Sequence, residues 1–462
     1  MNKNRELIDQ ILRKLEVENR MPLVEIHQLT PVGPSLLNRD FNNRIKTAVI
    51  GGTSRMYLSA ACQRRPIRIS EYDNGATRSK LFPALVAEAL KKEPYNKDEE
   101  YCMNVAQYIA GTIGKYETGQ ILAFDNSDVE RVAKEFAENI KDAKVLVPKS
   151  KKKEDAEGET EASSDGDVAK DEDGKKDEGK TQKEAAASAK ALLKSFEKLL
   201  RDNASGAKLD DTTALMGRMS TDSRFLRTVV SALHMNHAYS TSEWAGDSNC
   251  FVSIDDYKKN MDPQYSENQP DWLKFLSGES GKEEDFIDTT GSAMMDDMDL
   301  ASNTFYRYAS ISVRTLVENK LSGIDDDADE KTIEGILGEC ADIVTRFIMD
   351  YVFIVPTAKQ TENATTPRPL AVLITAGTRV YPQTADAEFE KVIRATETRS
   401  VGEQSVERLA HFMDNSASGA FAVNEYQRSF WITDQFKDKT PKACREASLM
   451  TALDEISALI AG

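Results

Sequence analysis

No apolar run in the 462-residue sequence approaches the roughly 20 residues that cross a bilayer, and the longest, near Tyr351 to Val355, is far too short, which excludes a membrane-spanning protein. CxxC pairs are also missing. The five cysteines (Cys62, Cys102, Cys250, Cys340 and Cys444) are scattered and odd in number, so neither a disulfide framework nor a zinc knuckle is indicated and buried free thiols are expected. Neither the GxxxxGK[ST] spacing of an NTP-binding loop nor the GxGxxG spacing of a dinucleotide site occurs, and no cofactor is expected. Net positive charge is lacking too. At −17, the surface as a whole is unsuited to nonspecific nucleic-acid binding, because phosphate contacts need clustered Lys and Arg.

What is present is a globular composition, with 40% hydrophobic and 30% charged residues and a mean hydropathy of −0.51. The length fits two or three domains or one elaborated core. MNKNRELIDQILRKLEVENR sets Leu7, Ile8, Ile11, Leu12 and Leu15 at helical spacing, unlike the unbroken apolar segment of a signal peptide, so a soluble, cytoplasmic protein is expected. The charge reverses locally. Residues 38–80 carry nine Lys or Arg against three acids, enough to matter for binding a nucleic-acid backbone.

Residues 23–30 alternate, with Val24 and Ile26 on one face and Glu25 and His27 on the other, the pattern of a half-buried strand. Residues 47–50 end at Gly51-Gly52, a hairpin or loop signal. Helical patterns follow over 81–91 and 101–113, and a third is opened by the capping box Ser127-Asp128-Val129-Glu130. Residues 149–184 are almost wholly Lys, Glu, Asp, Gly, Ser and Ala, which predicts a disordered insertion. Later, 305–313 and 370–375 read as strands, and 333–349, 387–395, 405–413 and 447–460 as helices. Strands and helices are interspersed without regular alternation, so the expected class is α+β, a core sheet carrying helical insertions.

Within the basic stretch, Asn38, Arg39, Lys46, Gly51, Gly52, Arg55, Ser59, Arg64, Arg65 and Arg68 combine cations, amide and hydroxyl donors, and glycines that permit close backbone approach. Such a set suits phosphates. Composition alone favours the blander reading, a solvated turn with ordinary surface arginines.

The order of the motifs resembles the CasC family, the Cascade backbone subunit of type I-E CRISPR systems. The matching words are EIHQLTPVGPSLLNRD (25–40), Lys46 with AVIGG (48–52), SRMYLSAACQRR (54–65), LMGRMS (215–220), ALHMNHAYST (232–241), GSAMM (291–295) with FYRYASIS (305–312), and VPTAKQ (355–360). They stand in family order across most of the chain.

The resemblance implies an RRM-like (ferredoxin-like) palm with helical fingers and an extended β-hairpin thumb. Its layout would be an N-terminal helix over 1–22, palm over 23–80, fingers over 81–147, the charged insertion over 148–186, a helical region and palm over 187–245, an enlarged thumb over 246–303, and palm with C-terminal helices over 304–462. Implied partners are crRNA, target DNA, further copies of the same chain in a filament, other Cascade subunits, and a nuclease-helicase recruited after target binding. The role implied is non-enzymatic, because the protein supplies shape and charge while the guide supplies sequence.

Carried over by position, Asn38, Arg39, Lys46, Gly51, Gly52, Arg55, Ser59, Arg64, Arg65, Arg68, Arg218, Lys359 and Gln360 would contact crRNA. Met219, Phe251, Ile254 and Met295 would displace or stack on a base, as flexible or aromatic apolar groups can do with any base. Ala60 and Ala61 depart from the Ser and Gln usual in the family, and Arg64 stands for a Lys. Residues 258–290 lengthen the thumb and carry Trp272 and Phe275, which would pack on a neighbour or anchor the loop.

Other clusters read as bland. His234 and His237 lack further ligands at metal-site spacing, Asp325, Asp326, Asp327 and Asp329 fit the solvated cap of a helix better than a calcium loop, and His411 has no nucleophile motif. Two rival functions remain: a type III-like backbone cutting target RNA with Asp40 or Asp73, and a general single-stranded RNA-binding protein.

Overall fold

The computed structural model describes residues 2–70, 77–113, 121–146, 175–220, 222–254, 292–300, 302–324 and 329–462. Its centre is a mixed sheet of nine strands, with order β13-β12-β11-β1-β10-β7-β3-β2 and β6 also paired to β10. These are β1 (Leu23–Pro31), β2 (Thr47–Ile50), β3 (Thr53–Leu58), β6 (Leu233–Met235), β7 (Ala238–Ser240), β10 (Thr304–Ser312), β11 (Ala371–Gly377), β12 (Arg428–Ile432) and β13 (Arg445–Glu446). β1 lies between β10 and β11, antiparallel to both, and only β12 with β13 is parallel.

Both faces of β1 are covered, so it is not the half-buried strand its alternation suggests. Val24 and Ile26 face a large apolar core with helices α1 (Asn2–Val17), α8 (Val313–Leu321), α9 (Glu330–Phe353) and α11 (Leu449–Ala461). On the opposite face, Leu29, Tyr306, Tyr308 and Trp431 pack beneath α10 (Val401–Ser418). Glu25 and His27 sit inside this second core because each has a polar partner there. Glu25 Oε1 accepts from the Tyr308 hydroxyl at 2.8 Å and the Gln383 N–H at 2.9 Å, while His27 Nδ1 lies 3.0 Å from the Tyr306 hydroxyl. Paired in this way, a buried polar group avoids most of its desolvation cost.

A separate apolar cluster forms a helical subdomain from α3 (Phe82–Lys91), α4 (Glu99–Ile113), α5 (Asn126–Asn139) and the end of α6 (Lys175–Ser205). The N-cap of α5 is Asp125, whose carboxylate accepts from the Asp128 N–H at 2.7 Å; Ser127 is already helical, and Asp128 is turned inward. α6 begins at Lys175, so the last ten residues of the 149–184 stretch form a helix instead of the expected disorder, and 149–174 lie outside the described residues. The helix expected over 387–395 is reduced to Asp386–Phe389. Asp329 does cap α9, accepting from the Thr332 N–H at 2.8 Å, whereas Asp325, Asp326 and Asp327 lie outside the described residues. A two-stranded hairpin, β8 (Asp247–Ile254) with β9 (Ser292–Leu300), stands off the main sheet, and Met298 near its base is buried with Leu36, Ile45 and Phe305. The inserted residues 258–290, with Trp272 and Phe275, lie outside the described residues.

Among the thiols, Cys102 and Cys340 are buried, Cys62 and Cys444 are half-buried, and Cys250 is exposed, so the buried default holds for only part of the set.

Candidate nucleic-acid interface

The basic stretch folds as a loop, a hairpin and a short helix. The loop doubles back, with the Lys46 N–H donating to Asn38 O at 2.8 Å and Arg39 bridged to Ile45. β2 and β3 then pair through Gly51-Gly52, both at positive φ. Gly51 is required there, because a Cβ would come within 2.0 Å of Glu390 O. Ser59 follows β3 and caps α2 (Ala60–Arg68), its hydroxyl accepting from the Cys62 N–H at 3.2 Å. α2 buries Gln63 and Ile67, which turns Arg64, Arg65 and Arg68 toward its other sides.

Lys46 and Arg65 converge on Cys62, where burial raises the thiol's pKa and the two cations pull it down. Arg65 is exposed, and Arg64 is half-buried with Nη2 donating to Leu233 O at 3.2 Å. Burial, and then the nearby Arg78, lower the Arg64 guanidinium below its ordinary value. Among the described residues, no carboxylate lies within ion-pair distance of Arg39, Lys46, Arg64 or Arg65; Arg39 instead donates to the Asn43 amide at 2.8 Å. Asn38 turns its amide to Tyr57 O at 3.0 Å, and Asp40 is engaged by the N–H groups of Asn42 and Arg44 at 2.8 and 2.9 Å. Asp73 lies outside the described residues.

Two of the expected crRNA contacts are misplaced for that role. Arg55 is fully buried, its guanidinium donating to the carbonyls of Ser240 (3.1 Å), Thr241 (3.3 Å) and Glu390 (2.7 Å). Arg218 is 4% exposed and is spent on Asp128 at 2.6 Å and on Arg227 O at 3.0 Å. Both arginines are structural, because their donors are turned inward onto the protein. In LMGRMS this has a local consequence: Gly217 takes φ +74 against Ser231, Arg218 anchors inward, and Met219 is left 88% exposed.

Phe251, Ile254 and Met295 all lie on the off-sheet hairpin, where Val252 is opposite Met295 and Ile254 is opposite Ser292. Lys359 has a left-handed backbone, φ 49, and pairs with Glu362 at 3.4 Å, while the Gln360 amide donates to Thr365 O at 3.2 Å.

Sequence reasoning passed over three neighbours of α2. His237 is exposed beside it, its Nδ1 accepting from the Ala60 N–H at 3.0 Å and lying 3.2 Å from the Tyr57 hydroxyl. His234 is in β6, so the two histidines do not share a helical face, and among the described residues no cluster of three or more His, Cys, Asp or Glu could hold a metal. Tyr57 lies against the His237 ring at 5.1 Å. Arg78, on β4 (Thr77–Ser79), is close enough to Arg64 for their charges to repel, and its place in the basic run 38–80 was the available signal.

The family model described as CT1975-like protein matches residues 24–265 and 284–460. The chain belongs to that family. The CasC resemblance is thereby borne out, and this CT1975-like protein is a backbone subunit of a type I Cascade. A chain of the solved CRISPR RNA-guided surveillance complex, pre-nicking, shares its fold at 17% identity, with a TM-score of 0.61 over 95% of this chain and 100% of that one. A chain of another CRISPR RNA-guided surveillance complex aligns at 15% identity and a TM-score of 0.46, covering 94% and 98%. No curated protein matches the CT1975-like chain by sequence. No helix among its described residues is long and apolar enough to cross a membrane.

Proposed function

We propose that this CT1975-like subunit, in several copies, coats the spacer of a crRNA in a type I-E-like Cascade, gripping its phosphates at the α2 face. The observation that carries this is that Arg39, Lys46, Arg64 and Arg65 gather around α2 with no carboxylate within ion-pair distance among the described residues, on a chain whose net charge is −17. Arg39, Lys46, Arg64 and Arg65 are placed for phosphate contact, Ser59 and Asn38 border them, and Arg78 extends the surface. Met219 and the hairpin of β8 and β9 take the part of base-displacing wedge and thumb, on a palm formed by the main sheet and fingers formed by the helical subdomain.

The subunit is proposed to be cytoplasmic and non-catalytic, supporting crRNA pairing with target DNA before other Cascade subunits recruit a nuclease-helicase. The turn that occupies Asp40 supports the non-catalytic assignment. Co-expression with a CRISPR array should yield complexes carrying one uniform small RNA. RNA of mixed length and sequence would favour a general binder, and regularly spaced cuts in complementary RNA with magnesium would favour the cleaving type.

A further inference from the structure

Beneath α2, on the sheet face opposite Tyr306 and Tyr308, lies the arginine of the FYRYASIS motif. Arg307 is 1% exposed, yet among the described residues it has no carboxylate partner. Its Nε donates to the Gln63 side chain at 3.2 Å, Nη2 donates to Ile354 O at 3.3 Å, and the guanidinium lies 4.3 Å above the Tyr351 ring. Nη1 is buried without a hydrogen-bond partner, as are the Tyr351 hydroxyl and the Oε1 of Gln28, which is directly opposite Arg307 in the strand register. Gln63 in turn donates to Leu58 O at 3.2 Å and Asn236 O at 3.1 Å. One buried cation therefore ties α2, the turn carrying His237 and the segment entering VPTAKQ.

A buried, unneutralised charge is costly, and its neighbours here are carbonyls, an amide and a ring, which stabilise it without cancelling it. Of the other deeply buried arginines, Arg218 has Asp128, and Arg55, likewise without a carboxylate among the described residues, has every guanidinium nitrogen hydrogen-bonded, whereas Nη1 of Arg307 has no partner. Anions brought to the outer side of α2 would stand near Arg307 across a low-dielectric layer, where Coulomb attraction is weakly screened.

We propose that Arg307 is a positioning residue for the RNA surface, holding α2 and the 355–360 segment in register and having its charge balanced by the guide's phosphates when RNA is bound. This rests on reading the α2 face as the RNA surface. Binding and the buried charge are then linked, so that RNA stabilises the wild-type chain by more than it stabilises a chain without the charge.

The test uses the full chain, a synthetic single-stranded RNA, and Arg307→Met and Arg307→Lys. Arg307→Met is expected to keep or raise the melting temperature of the RNA-free protein, to bind RNA about tenfold more weakly, and to show a smaller RNA-induced thermal shift. Arg307→Lys, which keeps charge but not the fork, should restore most of that thermal shift. The proposal is overturned if Arg307→Met binds RNA like the wild type. It is equally overturned if the RNA-free variant is unfolded or strongly destabilised, since the arginine's role is then simply structural, or if Lys restores nothing. Failure of the wild-type chain to bind any RNA would instead sink the reading of the α2 face.

Discussion

Arg65 and Arg55 come from the same basic run and look alike as sequence, yet Arg65 is exposed on α2 and Arg55 is sealed beneath the hairpin on three backbone carbonyls. The α2 face keeps Arg65 exposed and Arg64 half-buried, whereas Arg55 beside the sheet and Arg218 against α5 turn their donors onto the protein's own oxygens. An arginine count locates a basic region but does not say which guanidinium groups are available, because burial and inward partners decide that.

The widest separation between the two sets should come from Arg218→Ala, which removes the closer of the two cations paired with Asp128 and leaves it only Arg131 at 3.1 Å. It should cost about 3 kcal/mol in denaturant unfolding, the low end for breaking a buried ion pair because one cation remains. Near-native stability would place Arg218 with the exposed set. The converse variant, Arg64→Ala with Arg65→Ala and Arg68→Ala, should leave unfolding cooperative but abolish copurification of guide RNA. If residual binding is measurable, the slope of log affinity against log salt should fall by about 2, the loss of roughly three single-strand phosphate contacts. Normal RNA retention by this variant would break the assignment of the α2 face.

A third distinction is in pH. Burial lowers the pKa of His27 from 6.5 to about 3, so the unfolded chain takes up a proton that the folded chain refuses. Stability is then lost as pH falls from about 6.5 toward 3, by up to about 1.4 kcal/mol per unit. Burial raises the pKa of Glu25, and its stabilising contribution runs the other way, present at low pH and lost as pH rises through its folded value. His27→Gln should flatten the acid limb of stability against pH; an unchanged limb would show that other groups dominate it. The smallest effect belongs to Met219→Ala. At such exposure it should alter stability by less than about 0.5 kcal/mol. It should still let a fluorescent adenine analogue in the guide restack, and fluorescence identical to wild type would remove Met219 from the wedge role.

The elements most legible in the sequence were those with long apolar periodicity. α9, α10 and α11 came through within a few residues, as did the hairpin at Gly51-Gly52, because a 3.6-residue period or a glycine pair is a local signal. The candidate site was legible as a basic run and as a set of family words. It was legible less well residue by residue: Arg55 and Arg218 matched the pattern but are structural, while His237, weighed only as a metal ligand, and Arg78, marked only by its place in the basic run, come to the α2 region from separate elements.

By itself the sequence determined the α+β class, the family, the acidic surface with its one reversed stretch, and the absence of nucleotide-loop and zinc motifs. Only the tertiary structure decided that β1 is covered on both faces, that Asp128 turns inward to meet Arg218, and that Arg307 stands buried with no carboxylate partner among the described residues. The reason is physical. Periodicity and charge are properties of neighbours along the chain, but the desolvation and pairing of a polar group depend on partners brought to it from hundreds of residues away, as Glu25 meets Tyr308 and Gln383.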